Sequence, residues 1–185
     1  MPYLTPSQLL HDLQGNHNPG LYYIRARSED VIRNLSEQLF SEFVDLLSIY
    51  CDSPDSLVIY IGKASGANGM HQRLQQDLLH LNPASFFRGV GAVMGKNPRR
   101  ATTPAGVKNY RFNADDTNEI IHFMEKYFEV AVEEHPADNL LTVERKKIKK
   151  YQPIFNSDHN PHPSVVVREN RFRCRAYAGE FLHLT

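Results

Sequence analysis

Gly20-Leu21-Tyr22-Tyr23-Ile24 and Leu57-Val58-Ile59-Tyr60-Ile61-Gly62-Lys63 are the two stretches on which the fold turns. Both are dense in β-branched and aromatic residues, which suit a pleated, buried surface, and each meets a glycine near one end. Each therefore predicts a short strand. Within the first, alternation sends Tyr22 and Tyr23 to opposite faces. The second runs through Lys63 into a small-residue loop, Ala64-Ser65-Gly66-Ala67-Asn68-Gly69, that predicts a turn. Period-two alternation in Glu129-Val130-Ala131-Val132-Glu133-Glu134 predicts a third strand.

Helical patterning fills most of the remainder. Leu9, Leu10 and Leu13 behind Ser7 predict a leading helix. Residues 28–51 form an insertion between the first two strands. Ser28, Glu29 and Asp30 suit a helix start, and Ile32, Leu35, Leu39, Phe43, Leu46 and Tyr50 recur at helical steps. They predict one long amphipathic helix, its apolar face covering the sheet or serving as a homodimer face. A helix over 70–81 follows from Met70, Leu74, Leu78 and Leu81. Arg73 lies at the edge of that stripe, where a surface ion pair with Asp77 would be its plainest use. Beyond it the sequence predicts a short helix near 85–95, an exposed basic loop over 95–108 and a short strand at Tyr110 and Phe112. Asp115 and Asp116 are read as the cap of a helix carrying Ile120, Ile121, Phe123, Met124 and Phe128.

After Pro136, Leu140, Leu141, Ile148 and Tyr151 share one arc of a helical wheel, and Glu144 falls in the middle of it. A carboxylate on a core-facing arc demands a partner, either a basic side chain or a metal ion. Pro161 and Pro163 mark a linker. Val165-Val166-Val167 and Arg171-Phe172-Arg173-Cys174-Arg175-Ala176-Tyr177 read as a hairpin extension over 164–178. Alternation would place Arg171, Arg173 and Arg175 on one face, as a phosphate-tracking ribbon or as a charge-protected edge strand.

Composition narrows the function. The 185 residues are 41% hydrophobic and 23% charged, with zero formal net charge, which describes one ordinary globular domain spanning 1–185. No apolar run approaches a membrane span and no secretory leader is readable, so a cytoplasmic protein without membrane contact is expected. Two distant cysteines, Cys51 and Cys174, exclude a zinc ribbon and are expected to be buried thiols. The charge is unevenly spread. No acidic residue occurs from Leu78 to Ala114, where Arg88, Lys96, Arg99, Arg100, Lys108 and Arg111 all lie. That is a basic face on a neutral protein, suited to phosphate contact. His159-Asn160-Pro161-His162 shares letters with another nuclease motif but lacks the strand and helix frame that motif needs. No nucleotide-binding P-loop and no acyl-transfer elbow is present.

The strand pair resembles the GIY-YIG nuclease signature. Gly20-Leu21-Tyr22 stands where that family has Gly-Ile-Tyr, and Tyr60-Ile61-Gly62 matches the second half letter for letter. The family's later elements follow in order, with Arg73 on the next helix, Glu144 on a later one and Asn156 beyond it. The resemblance covers about residues 20–160. It implies an α+β fold, a three-stranded antiparallel sheet flanked by helices, and metal-dependent hydrolysis of DNA phosphodiesters. It further implies Tyr22 as a general base whose pKa Lys63 would lower, and Tyr60 as a hydroxyl that positions water or phosphate. Arg73 would stabilise the charged phosphorus centre, Glu144 would hold Mg²⁺ or Mn²⁺, and Asn156 would orient that carboxylate or the scissile strand. DNA contacts are expected from Arg88, Lys96, Arg99, Arg100, Lys108, Arg171, Arg173 and Arg175. A restriction-type enzyme is the favoured reading. A mobile-element or repair nuclease, a lapsed nucleic-acid-binding module and a pure interaction protein are the alternatives.

Overall fold

The computed structural model describes residues 2–50, 57–65, 69–82 and 84–180, without the side chains of 47–50. Three strands, β1 (Gly20–Ala26), β2 (Val58–Ala64) and β3 (Phe128–Glu134), form one antiparallel sheet in the order β2-β1-β3. Both predicted core strands and the third strand are thus in place. Nine helices flank them among the described residues: α1 (Pro6–Asp12), α2 (Glu29–Leu35), α3 (Glu37–Tyr50), α4 (Gly69–Leu79), α5 (Ser85–Val93), α6 (Pro104–Lys108), α7 (Ala114–Tyr127), α8 (Leu140–Tyr151) and α9 (Val165–Gly179).

Alternation along β1 divides the core. Tyr22, Ile24 and Ala26 join the main hydrophobic cluster with α2, α3, α4, α5 and α7. Leu21 and Tyr23 face the opposite side, where Leu140 and Ile148 of α8 cover them. Both faces are buried, so the central strand reads as a near-continuous apolar run. Tyr22 stands directly opposite Gly62 across the sheet. A Cβ at position 62 would lie 2.2 Å from the Tyr22 hydroxyl, so the Tyr-Ile-Gly glycine is a consequence of the tyrosine lying across it.

Several expectations are corrected. The insertion is two helices because Ser36 is extended and its hydroxyl accepts the Leu39 N–H, ending α2 and starting α3. Their residues Ile32, Leu35, Leu39 and Phe43 belong to the main core, so the pair covers the sheet. Tyr110 and Phe112 are buried in irregular backbone, and a short helix, α6, interrupts the basic loop. Asn113, not Asp115 or Asp116, caps α7 by accepting the Asp116 N–H. Cys174 is buried as expected, whereas Cys51 and loop residues 66–68 lie outside the described residues.

The largest correction is the C-terminal hairpin, which is the single helix α9. Ser164 caps it through the Val167 N–H at 3.0 Å, and Val167, Cys174 and Ala178 form its buried stripe. Phe172, which a strand would bury beside Cys174, is 71% exposed. Glu42 of α3 reaches across to accept the Ser164 hydroxyl and, at 2.7 Å, the Val165 N–H, so the insertion also anchors α9.

Candidate active site

Tyr22, Tyr60 and Lys63 reach one region from the sheet, Arg73 from α4 and Glu144 from α8. The carboxylate on the apolar arc finds its partner in Lys63, whose Nζ donates to Glu144 Oε2 at 2.7 Å. Glu144 is only 8% exposed, and its second oxygen takes no hydrogen bond among the described residues. One open space of about 370 Å³ is lined by Tyr60, Gly62, Lys63, Arg73 and Glu144 together. An adjoining cleft of about 420 Å³ shares Tyr60, Lys63 and Glu144 and extends past Asn156 to Arg168, Arg171 and Arg175.

Beneath this surface lies a triad that spacing alone underestimates. Asp77 is fully buried and accepts the Tyr22 hydroxyl, and Arg73 Nη2 lies 2.9 Å from the same carboxylate. Arg73 Nε donates to the Tyr22 oxygen at 3.1 Å, and the Phe86 N–H donates to Asp77 at 3.3 Å. The ion pair read as a surface contact is therefore a buried clamp. Its helical signal resembles that of Glu144: Asp77 follows Met70 by seven residues and Leu74 by three, inside the apolar stripe of α4.

The electrostatics reverse the expected tuning of Tyr22. Burial first, and then the Asp77 carboxylate, hold its phenol well above the ordinary value of 10.0. The cation that opposes this is Arg73, not Lys63, whose Nζ is bound to Glu144, and it does not offset the rise. Tyr60 is pushed up to about 12, by burial and by Asp77. Its hydroxyl lies 3.4 Å from that of Ser85. Both phenols thus carry their protons at neutral pH. Tyr23, on the other face, donates to Glu133 at 2.6 Å and lines neither of these spaces.

Asn156 is placed otherwise than expected. Its side-chain oxygen accepts the Ile61 N–H at 2.9 Å and its amide donates to the Ile61 carbonyl at 2.8 Å. Both amide atoms are spent in pinning the outer edge of β2 at Ile61, between Tyr60 and Gly62.

The expected DNA-contacting residues separate into three groups. Arg88 is buried, donating to Asn109 at 3.0 Å, and is not part of an exposed face. Lys96 is paired with Asp116 and Glu119, Arg100 with Glu180, and Arg173 donates to the Ala92 carbonyl. Arg99 and Lys108 are exposed on the basic loop, and Arg171 and Arg175 line the cleft. Arg168, absent from the strand reading, joins them there. A helical reading of 164–178 would have found it, because 168, 171 and 175 share one face.

No group of three or more potential His, Cys, Asp or Glu metal ligands occurs among the described residues. The donor set nevertheless suits one hard cation: Mg²⁺ is commonly held by one or two carboxylates, with water and phosphate oxygens completing the shell. No helix is long and apolar enough to cross a membrane among the described residues.

A family model described as the GIY-YIG catalytic domain matches residues 20–174. Comparison with curated proteins found no match, and comparison with solved structures found none.

Proposed function

The chain belongs to the GIY-YIG nuclease family, and from that premise we propose that it is a divalent-metal-dependent DNA endonuclease of restriction-like type. The observation that carries this reading is the convergence of Tyr60, Lys63, Arg73 and Glu144 on one open space. Those side chains supply a hard oxygen ligand, two cations for a phosphate and a hydroxyl donor.

Glu144 would hold Mg²⁺ or Mn²⁺ through its oxygens, and Lys63, its neighbour in the same space, would contact a substrate phosphate. A bound ion would supply Lewis acidity at the leaving oxygen and a water of lowered pKa. Arg73, fixed by Tyr22 and Asp77, directs its guanidinium to the charge that develops on the nonbridging oxygens. Tyr60, protonated and facing the cleft, donates a hydrogen bond that orients the phosphate or the attacking water. Tyr22 is assigned a positioning role, since its oxygen is committed to Arg73 and Asp77.

Incubation with supercoiled plasmid in Mg²⁺, Mn²⁺ or EDTA tests the reading. Cleavage by the wild type should require the metal, and Glu144→Gln should abolish it while leaving DNA affinity in EDTA unchanged. A Glu144→Gln protein that cut at the wild-type rate would remove the metal role.

A further inference from the structure

We propose that Arg168, Arg171 and Arg175 of α9 form a phosphate rail that grips the backbone of duplex DNA and leads one strand to Glu144. The inference rests on the nuclease reading for its substrate class, and on α9 for its geometry. Residues 168, 171 and 175 fall within one arc of a helix, and all three line the cleft that also holds Tyr60, Lys63 and Glu144. They span roughly 10 Å along the helix, about the axial length of three phosphate-to-phosphate steps of one DNA strand.

The charge balance calls for an anion. None of the three guanidinium groups has a carboxylate or hydrogen-bond partner among the described residues, in contrast to Lys96, Arg100 and Arg173. The cleft lining sets four cationic side chains against two carboxylates, Glu144 and Asp158. Beneath the helix, burial first and then the cations of Arg171 and Arg175 push the Arg88 guanidinium below its ordinary pKa. Arg171 and Arg175 are thus close enough to Arg88 to repel it, and a polyanion on the cleft side would relieve them. The helix itself is held firmly, capped by Ser164 and Glu42 at its start. It is also packed over Gly89 of α5, where an added Cβ would meet Val167 at 3.8 Å. A rail must not yield when loaded.

The test is binding of fluorescent duplex DNA to the full chain in EDTA across a salt series. Removing one arginine–phosphate bond reduces the steepness of log K against log salt by about 0.9. The triple variant Arg168→Ala/Arg171→Ala/Arg175→Ala should therefore lose between about two and three units of slope. Arg173→Ala, whose guanidinium is spent on the Ala92 carbonyl, should keep the wild-type slope. The corresponding triple lysine variant should also keep it, and it covers the case in which the alanine variant fails a melting check. In that case, single Arg168→Ala and Arg175→Ala changes at exposed positions should each remove about one unit. A folded triple alanine variant or both single variants with the wild-type slope would overturn the rail, as would an equal drop in Arg173→Ala. Wild-type cleavage in Mg²⁺ is scored separately. Its absence beside an arginine-dependent slope would sink the nuclease reading and leave the rail standing.

Discussion

Replacing Asp77 by Asn removes one charge from the clamp beneath the site and changes little else in volume. The carboxylate is fully buried, while the Arg73 side chain is 29% exposed. Removing one partner of a buried pair costs about 3–5 kcal/mol. Water reaches part of Arg73, and the asparagine oxygen can still accept the Phe86 N–H, so the lower end, about 3 kcal/mol, applies. For a domain of this size each kcal/mol moves the melting temperature by about 2–4 °C, giving a drop of about 6–12 °C. Tyr22→Phe removes two hydrogen bonds to charged groups, one donated to Asp77 and one accepted from Arg73, and should cost at least about 1.5–3 kcal/mol. Both substitutions delete the same Tyr22–Asp77 bond, so the double variant should fall short of their sum by at least about 1 kcal/mol. Urea and thermal unfolding of the four proteins provide the cycle. Single-turnover cleavage on the same set should fall in Asp77→Asn, because Arg73 loses its anchor. Losses that simply add, or an Asp77→Asn protein melting with the wild type, would refute the clamp.

Gly62→Ala should lower stability by roughly 1–3 kcal/mol or more, since the new methyl meets a Tyr22 ring that burial and two hydrogen bonds prevent from moving. Equal melting curves for mutant and wild type would show that the ring can yield. His80, stacked on Phe87 at 4.4 Å with neither ring nitrogen bonded, is held down to about 4 by burial and then by Arg111 and Arg88. Its folded pKa is below the ordinary 6.5, so its contribution is intact above pH 6.5 and is lost as pH falls towards 4. The loss by pH 4 is about 3 kcal/mol, and unfolding titrations should show His80→Asn flattening this limb.

The sheet was legible because its chemistry is local: aromatic and β-branched residues, bounding glycines and a period of two. Glu144 was legible because a carboxylate on an apolar arc contradicts its surroundings. Asp77 carries the same contradiction, but Arg73 four residues earlier supplies an innocuous explanation, and only the tertiary position of Tyr22 removes it. The role of Asn156 in pinning Ile61 has no local signal, since its partner is a backbone unit 95 residues away. In α9, Arg171, Arg173 and Arg175 alternate with Phe172, Cys174 and Ala176, imitating a strand. The helix is selected by the Ser164 cap and by the α5 surface that receives Val167 and Cys174. The break at Ser36 is a similar case: the apolar period continues through it while the backbone does not.

Glu42 bonds Ser164 across 122 residues of chain. Closing so long a loop carries an entropic cost, and pairings of such high sequence separation are made slowly. During synthesis Tyr22, Tyr60, Arg73 and Glu144 all leave the ribosome before α9 does, so a chain can assemble the reactive centre while the arginines of α9 are still unplaced. Meanwhile Glu42 waits on α3 without the helix end it will cap, exposing the neighbouring core to water. The insertion and the terminal helix therefore behave as two halves of one late-closing unit, and an evolutionary gain or loss of either would leave the other without its counterpart.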